Sequence, residues 1–183
     1  MRRSKREKIL ESAVKIIEES GPDAVTYEAL AQASGLSKSG LIYHFPSRDD
    51  LMLAIHEHLA QAWEQELLAT AGVSDVAELS EAQRLKAAVI CFSTAASLPE
   101  LLLQIEAARN PRAAAVWNAV DQRWLPSPES IQDSATKKAA YLVKLIADGL
   151  FLHDYVHFTP LSSEQRSILT EAALKLIPPD PQD

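Results

Sequence analysis

A chain of 183 residues, 47% of them hydrophobic, is long enough to bury a sizeable core and to form one or two closely packed domains. Five glycines, few β-branched runs and many Ala, Leu, Glu and Gln argue for an all-α fold; the single Cys91 excludes an internal disulfide and reads as a buried, reduced thiol. No N-terminal apolar leader and no run of about 18 apolar residues occurs, which speaks against secretion and against a membrane partner and predicts a cytoplasmic protein.

The net charge of -7 argues against a nucleic-acid binder, but its distribution argues the other way: residues 1–48 carry a balance of +2 and residues 49–183 one of -9. Arg2, Arg3, Lys5, Arg6 and Lys8 concentrate the positive charge. A basic end on an acidic body suits a duplex partner, because DNA affinity depends on local neutralisation of phosphate; an ordinary solvated basic tail is the plain alternative.

From Ser4 to Ser20, Ile9, Leu10, Ala13, Val14 and Ile17 recur at helical spacing, predicting a first helix with one buried stripe, ended by Gly21-Pro22. Thr26 is placed to cap a second helix running to Ala33, with Glu28 in its first turn. Gly35 suits a left-handed exit, and Ser37 caps a short third helix that Pro46 ends. Ser37, Lys38 and Ser39 at the start of that helix and Tyr43 and His44 near its end compose a helix-turn-helix that can lie on a duplex with donors outward, Gly40 permitting close approach. A surface helical hairpin is the alternative.

Ser47-Arg48-Asp49-Asp50 has the capping pattern for a fourth helix. Leu51, Ile55, Leu59, Trp63 and Leu67 carry it to about Thr70, roughly 35 Å at 1.5 Å per residue. Leu85, Val89, Phe92 and Ala96 predict a fifth helix; Pro99 and Pro111 sit at favoured first-turn positions of a sixth, ending near Ala107, and a seventh. The seventh carries Trp117 and Trp124 on one face before Pro126 and Pro128. An eighth runs from about Ala135 to Phe158 with the strip Leu142, Leu145, Ile146, Gly149, Leu152 and Val156. Ser162 caps the ninth, which presents Ile168, Leu169, Ala172, Ala173, Leu176 and Ile177. About nine helices divide into a helix-turn-helix domain, 1–48, and a second helical domain, 49–183, linked by the fourth; the resemblance described next makes the first DNA-binding and the second ligand-binding and dimerising.

The stretch Gly35-Leu36-Ser37-Lys38-Ser39-Gly40-Leu41-Ile42-Tyr43-His44-Phe45-Pro46-Ser47-Arg48 closely resembles the signature of TetR-family transcriptional repressors. Pro99–Leu103 and Tyr141–Tyr155 resemble multidrug-sensing members of that family. The resemblance implies that Thr26 and Tyr27 approach the phosphate backbone, that Tyr43, His44 and Arg48 hold phosphate, and that Lys38 and Ser39 lie nearest base edges. It also implies a homodimer in which the eighth and ninth helices pair with their twins through Leu142, Ile146, Gly149, His153, Ile168, Ala172 and Leu176. Two reading helices would then span successive major-groove faces of a near-palindromic operator. A buried internal helix pair is the other reading of the same strips.

The second domain also holds most of the large rings: Trp63, Phe92, Trp117, Trp124, Tyr141 and Phe151. Rings at helical spacing form either a filled core or a pocket. Lys144 and Asp148 fall on the stripe of Tyr141 and Phe151, Glu106 and Asp121 add acids, and Leu67, Leu103 and Val120 complete the candidate wall. Such a cavity suits flat lipophilic cations, although Lys144 and Asp148 also make a self-contained ion pair. No cofactor is called for and no enzymatic motif is found. The rival metal reading rests on His153-Asp154-x-x-His157 with His56 and His58 and lacks an identifiable third ligand; a DNA binder without a sensor is the other rival.

Overall fold

Positive backbone φ is confined, among the described residues, to Gly21 (80°), Gly35 (67°) and Gly72 (73°), each just past the end of a helix. These stops, serine and threonine caps and well-placed prolines divide the chain into helices. The computed structural model describes residues 4–94, 97–157 and 159–180; Arg2 and Arg3, Ala96 and Phe158 lie outside the described residues. Among the described residues the regular structure is all-helical: α1 Lys5–Ser20, α2 Tyr27–Ser34, α3 Lys38–His44, α4 Arg48–Ala71, α5 Glu81–Phe92, α6 Leu98–Ala107, α7 Pro111–Trp124, α8 Ala135–Val156 and α9 Ser163–Leu174, with three short 3-10 turns.

Three helix ends differ from the sequence reading. α5 stops at Phe92 because Ser93 folds its hydroxyl onto the Ile90 carbonyl (2.6 Å), satisfying a group that further helix would have used. α8 ends at Val156. α9 ends at Leu174, and its continuation tightens to i→i−3 bonds, Leu176 to Ala173 and Ile177 to Leu174, before Pro178. α5 also begins earlier than its apolar positions suggest, at a Ser80/Gln83 capping box.

The helices pack into two compact units. Residues up to Gln61 together with Ser97–Trp117 form the first, and the remaining described residues form the second. The division therefore falls within α4 and within α7, and it groups α6 with the N-terminal helices, whereas the sequence-based division falls at residue 48.

In the first unit, Ile9, Leu10, Ala13 and Ile17 of α1 pack with Val25, Leu30, Leu41, Phe45, Leu51, Ile55 and, from α6, Leu103. The Tyr27 hydroxyl donates to the Phe45 carbonyl at 2.6 Å and so pins the end of α3 to the start of α2. The Arg6 guanidinium lies 5.3 Å from the centre of the Phe45 ring. Ser47 then accepts from the Asp50 amide at 3.1 Å and donates to the Asp50 carboxylate at 2.7 Å, launching α4. His56 of α4 is only 1% exposed, and its Nδ1 accepts from Trp117 Nε1–H at 3.1 Å, which leaves the ring proton on Nε2.

The second unit centres on Leu85, Val89, Phe92, Val143, Ala147 and Ala173, with Trp63, Phe151 and Ile177 against them. Arg166 of α9 is enclosed and donates to the carbonyls of Ser93 (3.1 Å) and Leu150 (2.9 Å) while pairing with Asp154 (2.8 Å). Asp154 also accepts from the Leu161 amide (3.2 Å), and Arg166 first among these partners holds its carboxyl below the usual range. Cys91 is buried beside Thr70 (Oγ1 to Sγ 3.3 Å), and burial pushes its thiol up.

Two stability measurements follow from the first unit. Tyr27→Phe removes one part-buried hydrogen bond and should lower the unfolding free energy in urea by about 1 kcal/mol with an unchanged denaturant slope. Burial holds His56 below the ordinary histidine value, so its neutral form favours the fold at neutral pH; that stability is lost as pH falls below about 6.5 toward the depressed folded value. His56→Gln, which keeps an acceptor for Trp117 and does not titrate, should therefore lose less stability than the parent between about pH 6.5 and pH 5 in thermal melts.

Candidate functional site

The short helix α3 turns one face to its scaffold and one to solvent. Leu41 is fully buried, as is Phe45 just beyond the helix, while Lys38, Ser39, Ile42 and Tyr43 are exposed, Tyr43 at 83%. The spacing i, i+1, i+4, i+5 puts these four on one side. Ser37 accepts from the Gly40 amide at 3.2 Å, and its hydroxyl lies 3.1 Å from that of Ser39. A Cβ on Gly40 would come 3.2 Å from Ser37 Oγ, so the close approach at that glycine is to its own cap. His44 is half-buried with its ring edge-on to Tyr43 at 5.4 Å.

The other residues expected at DNA divide by what already holds them. Thr26 accepts from the Ala29 amide at 3.1 Å as the cap of α2. Because the Tyr27 hydroxyl is committed to Phe45, any phosphate contact at Tyr27 falls to the backbone N–H in the first turn of α2. Lys38 pairs with Glu28, an exposed partnership that lowers the Glu28 carboxyl, chiefly through the hydrogen bond from Lys38. Arg48 reaches the Pro22 carbonyl (3.4 Å) and Asp23 (3.8 Å), and Lys5 is exposed. Ile42 was not in the sequence-derived set. Its signal was the phase of α3: with Leu41 inward, the next residue must turn outward, where an apolar side chain can meet a thymine methyl.

Within the second unit the structure gathers Trp63, Phe92 and Phe151: Trp63 and Phe92 stack at 5.6 Å and 21°, and Phe92 meets Phe151 at 5.1 Å. On α8, Lys144 Nζ lies 2.6 Å from Asp148 Oδ2 and 5.7 Å from the centre of the Tyr141 ring. Burial raises the carboxyl of Asp121 on α7, with the charge of Lys144 opposing and that of Asp148 adding to the rise. Leu67 and Val120 are buried. Trp124 is 2% exposed and donates its indole N–H to Glu64 (3.2 Å), which Arg123 grips with two bonds of 2.7 Å; Arg123 thereby lowers the Glu64 carboxyl. Glu64 and Arg123 were not foreseen, since 59 residues separate them. Trp124 also lines a cavity of about 490 Å³ with Arg84, Leu85, Lys137, Ala140 and Ile177.

Three members of the sequence-derived pocket belong to the first unit instead. Leu103 is completely buried in that unit's core, and Trp117 is bonded to His56. Glu106 is different. Its Oε2 is buried with no hydrogen-bond partner, a costly state for a carboxylate oxygen that a cation or donor would relieve.

The predicted dimer residues line the outer face of the second unit. Leu142 is 55% exposed, and Ile146, Ile168 and Leu176 are exposed as well, whereas Val143, Ala147 and Leu150 of α8 face the core. A Cβ on Gly149 would meet nothing within 4 Å. A groove of about 510 Å³ runs between Ile146, Gly149, Val156, Leu169, Ala172 and Leu176. His153 sits half-buried against Asp154, its ring 5.0 Å from that of His157. Among the described residues no group of three or more His, Cys, Asp or Glu side chains could hold a metal ion, and no helix is long and apolar enough to cross a membrane.

Described residues that are helical throughout their regular structure, with the short helix α3 exposed after the Gly35 turn from α2, have the architecture of a helix-turn-helix transcription regulator. Residues 9–55 match the bacterial regulatory proteins of the tetR family, and residues 82–178 match the tetracyclin repressor-like C-terminal domain. The chain belongs to the TetR family of transcription regulators, with its N-terminal DNA-binding helix-turn-helix domain and C-terminal helical domain. Similar solved structures include a regulator from Saccharomonospora viridis in complex with choline (21% identity, 94% of each chain, TM-score 0.66). Others are a TetR-family member from Streptomyces coelicolor A3 (20% identity, 96% of this chain and 99% of that one, TM-score 0.65) and the multidrug-binding protein EbrR complexed with ethidium (18% identity, 96% and 99%, TM-score 0.63). Comparison with curated protein sequences gave no match.

Proposed function

We propose that the chain is a cytoplasmic, ligand-responsive repressor that binds a near-palindromic operator as a homodimer and leaves it when a small lipophilic, aromatic or cationic inducer binds. The observation that carries the DNA half is the exposed face of α3, with Lys38, Ser39, Ile42 and Tyr43 on a helix whose opposite side is locked into the core. In this reading Lys38, Ser39 and Ile42 meet base edges, while Tyr43, His44, Arg48, the first turn of α2 and the basic end with Lys5 hold phosphate. Residues 1–48 form the reading head, and 49–183 sense and dimerise.

Support for a second copy comes from the open apolar face of α8 and α9, where the unfilled space at Gly149 suits a close helix crossing with a twin. Support for a cationic inducer comes from the rings and acids that share one stripe of α8. Relatives in complex with ethidium and choline are consistent with that class. The inducer must favour the form of the dimer that does not fit DNA, and by linkage DNA must weaken the inducer by the same factor. The continuous helix α4, whose cap adjoins the end of α3, is the element to carry that change.

Operator DNA selected from a random pool tests the reading head. Tyr43→Ala should weaken all sequences alike and reduce the salt dependence of binding, whereas Lys38→Ala should cost about 1–3 kcal/mol on the best site and blur preference. Glu28→Gln, which removes the competing carboxylate, should tighten operator binding; unchanged operator affinity at saturating ethidium would sink the inducer mechanism. Ile146→Asp should convert a dimer to a monomer in light scattering and abolish tight operator binding while leaving helix content intact.

A further inference from the structure

We propose that the second unit holds a further binding site, for a small organic anion: a carboxylate on a flat apolar body, taken up by the cavity of about 490 Å³ among the first turns of α5 and α8, the end of α7 and the C-terminal segment, with Arg84 as its counter-ion. The site does not depend on the inducer reading and takes a ligand of the opposite charge. Its volume falls within the roughly 300–1,000 Å³ typical of small-molecule sites. Trp124, Leu85, Leu125, Ala140, Ile177 and Pro178 give it an apolar wall. Trp124 is 2% exposed and its indole N–H is bonded to Glu64, so the ring offers the cavity only its apolar body. Tyr141, Lys144, Asp148 and Phe151 are not among the lining residues.

The charges that line the cavity decide the sign of its ligand. Arg84 is half-buried, and its hydrogen bonds go to neutral carbonyls, from Nη1 to Arg123 at 2.9 Å and from Nε to Ser80 at 3.4 Å. These bonds hold the guanidinium in place without neutralising it, and among the described residues it makes no ion pair. Lys137 pairs with Glu81; the lysine side chain is 34% exposed and the glutamate 64%, so the base is the more enclosed of the two. Asp180 is committed to the backbone, its Oδ1 accepting from the Ala82 amide in the first turn of α5 at 3.4 Å. The wall thus already carries one carboxylate of the chain's own, satisfied by a helix N-terminus rather than by Arg84. What the cavity lacks is a counter-charge for Arg84. A guanidinium presents a planar fork that matches a carboxylate, and half-burial makes that pairing stronger than in open water. A cation entering here finds Asp180 bonded and Glu81 paired, and meets Arg84 as a like charge.

Calorimetric titration of the full-length protein with naphthalene probes of similar shape and different charge tests the site: 2-naphthoate, 2-naphthamide and 2-naphthylmethylammonium. 2-Naphthoate should bind about ten- to a hundredfold tighter than the amide, the range that a charge-assisted hydrogen bond supplies, and the ammonium should bind weakest. Arg84→Met should erase the preference for carboxylate over amide, and Arg84→Lys, which keeps the charge but not the fork, should retain part of it. Glu81→Gln, which frees Lys137, should tighten 2-naphthoate and leave the amide unchanged, a gain that damaged packing would not produce; melting curves check that the variants are folded. Equal binding of carboxylate and amide by the parent, a carboxylate preference that survives Arg84→Met, or no binding of any probe by the folded parent overturns the site. None of these outcomes bears on release of operator by ethidium, which tests the inducer reading separately.

Discussion

The Tyr27 hydroxyl bonded to the Phe45 carbonyl is the contact on which the placement of α3 depends. A seven-residue helix has little stability of its own, because nucleation costs more than so short a run of bonds returns. α3 is held from both ends instead: Ser37 caps its start, and Tyr27 secures the carbonyl where the chain leaves it. Between these points Leu41 enters the core. The side chains on the opposite face are thereby aimed without being packed, which is what a surface that must dock on another molecule requires.

The same contact redefines a residue. Tyr27, the first residue of α2, is expected by resemblance to approach the phosphate backbone, and its hydroxyl is bonded inside the fold. Arg48 is similarly engaged, by the Pro22 carbonyl and by Asp23, and Lys38 by Glu28. These exposed ion pairs are individually weak and easily exchanged for phosphate. In the proposed reading, the head would keep these cations neutralised until DNA competes for them.

Acids elsewhere separate into two kinds. Asp154 and Glu64 are fully engaged by Arg166 and Arg123, and both are structural: one ties α8 to α9, the other ties α4 to α7 beside Trp124. Asp121 and Glu106 lack such a partner, the first sharing Lys144 with Asp148 and the second carrying a bare buried oxygen. Removing a carboxylate from water without a hydrogen-bond partner is costly, so the second kind is the less stably held.

Local features were readable in the chain itself, because they depend on neighbours within four residues. The caps at Thr26, Ser37, Ser47 and Ser162, the left-handed turn at Gly35, the stripe of α1 and the order of the nine helices among the described residues all follow from side-chain chemistry and 3.6-residue periodicity. So does the outward strip of α8, which reads as apolar either way and needed the structure only to show which side faces solvent. Pairings across the chain were not readable. Nothing in the spacing of Tyr27 and Phe45, of His56 and Trp117, or of Glu64 and Arg123 marks them as partners. Nor could spacing tell that Leu103 belongs to the core of the first unit or that Asp121 would be the acid left short. Such pairings are decided when helices distant in sequence pack, since only then do burial and the supply of donors determine which charge is satisfied and which is not.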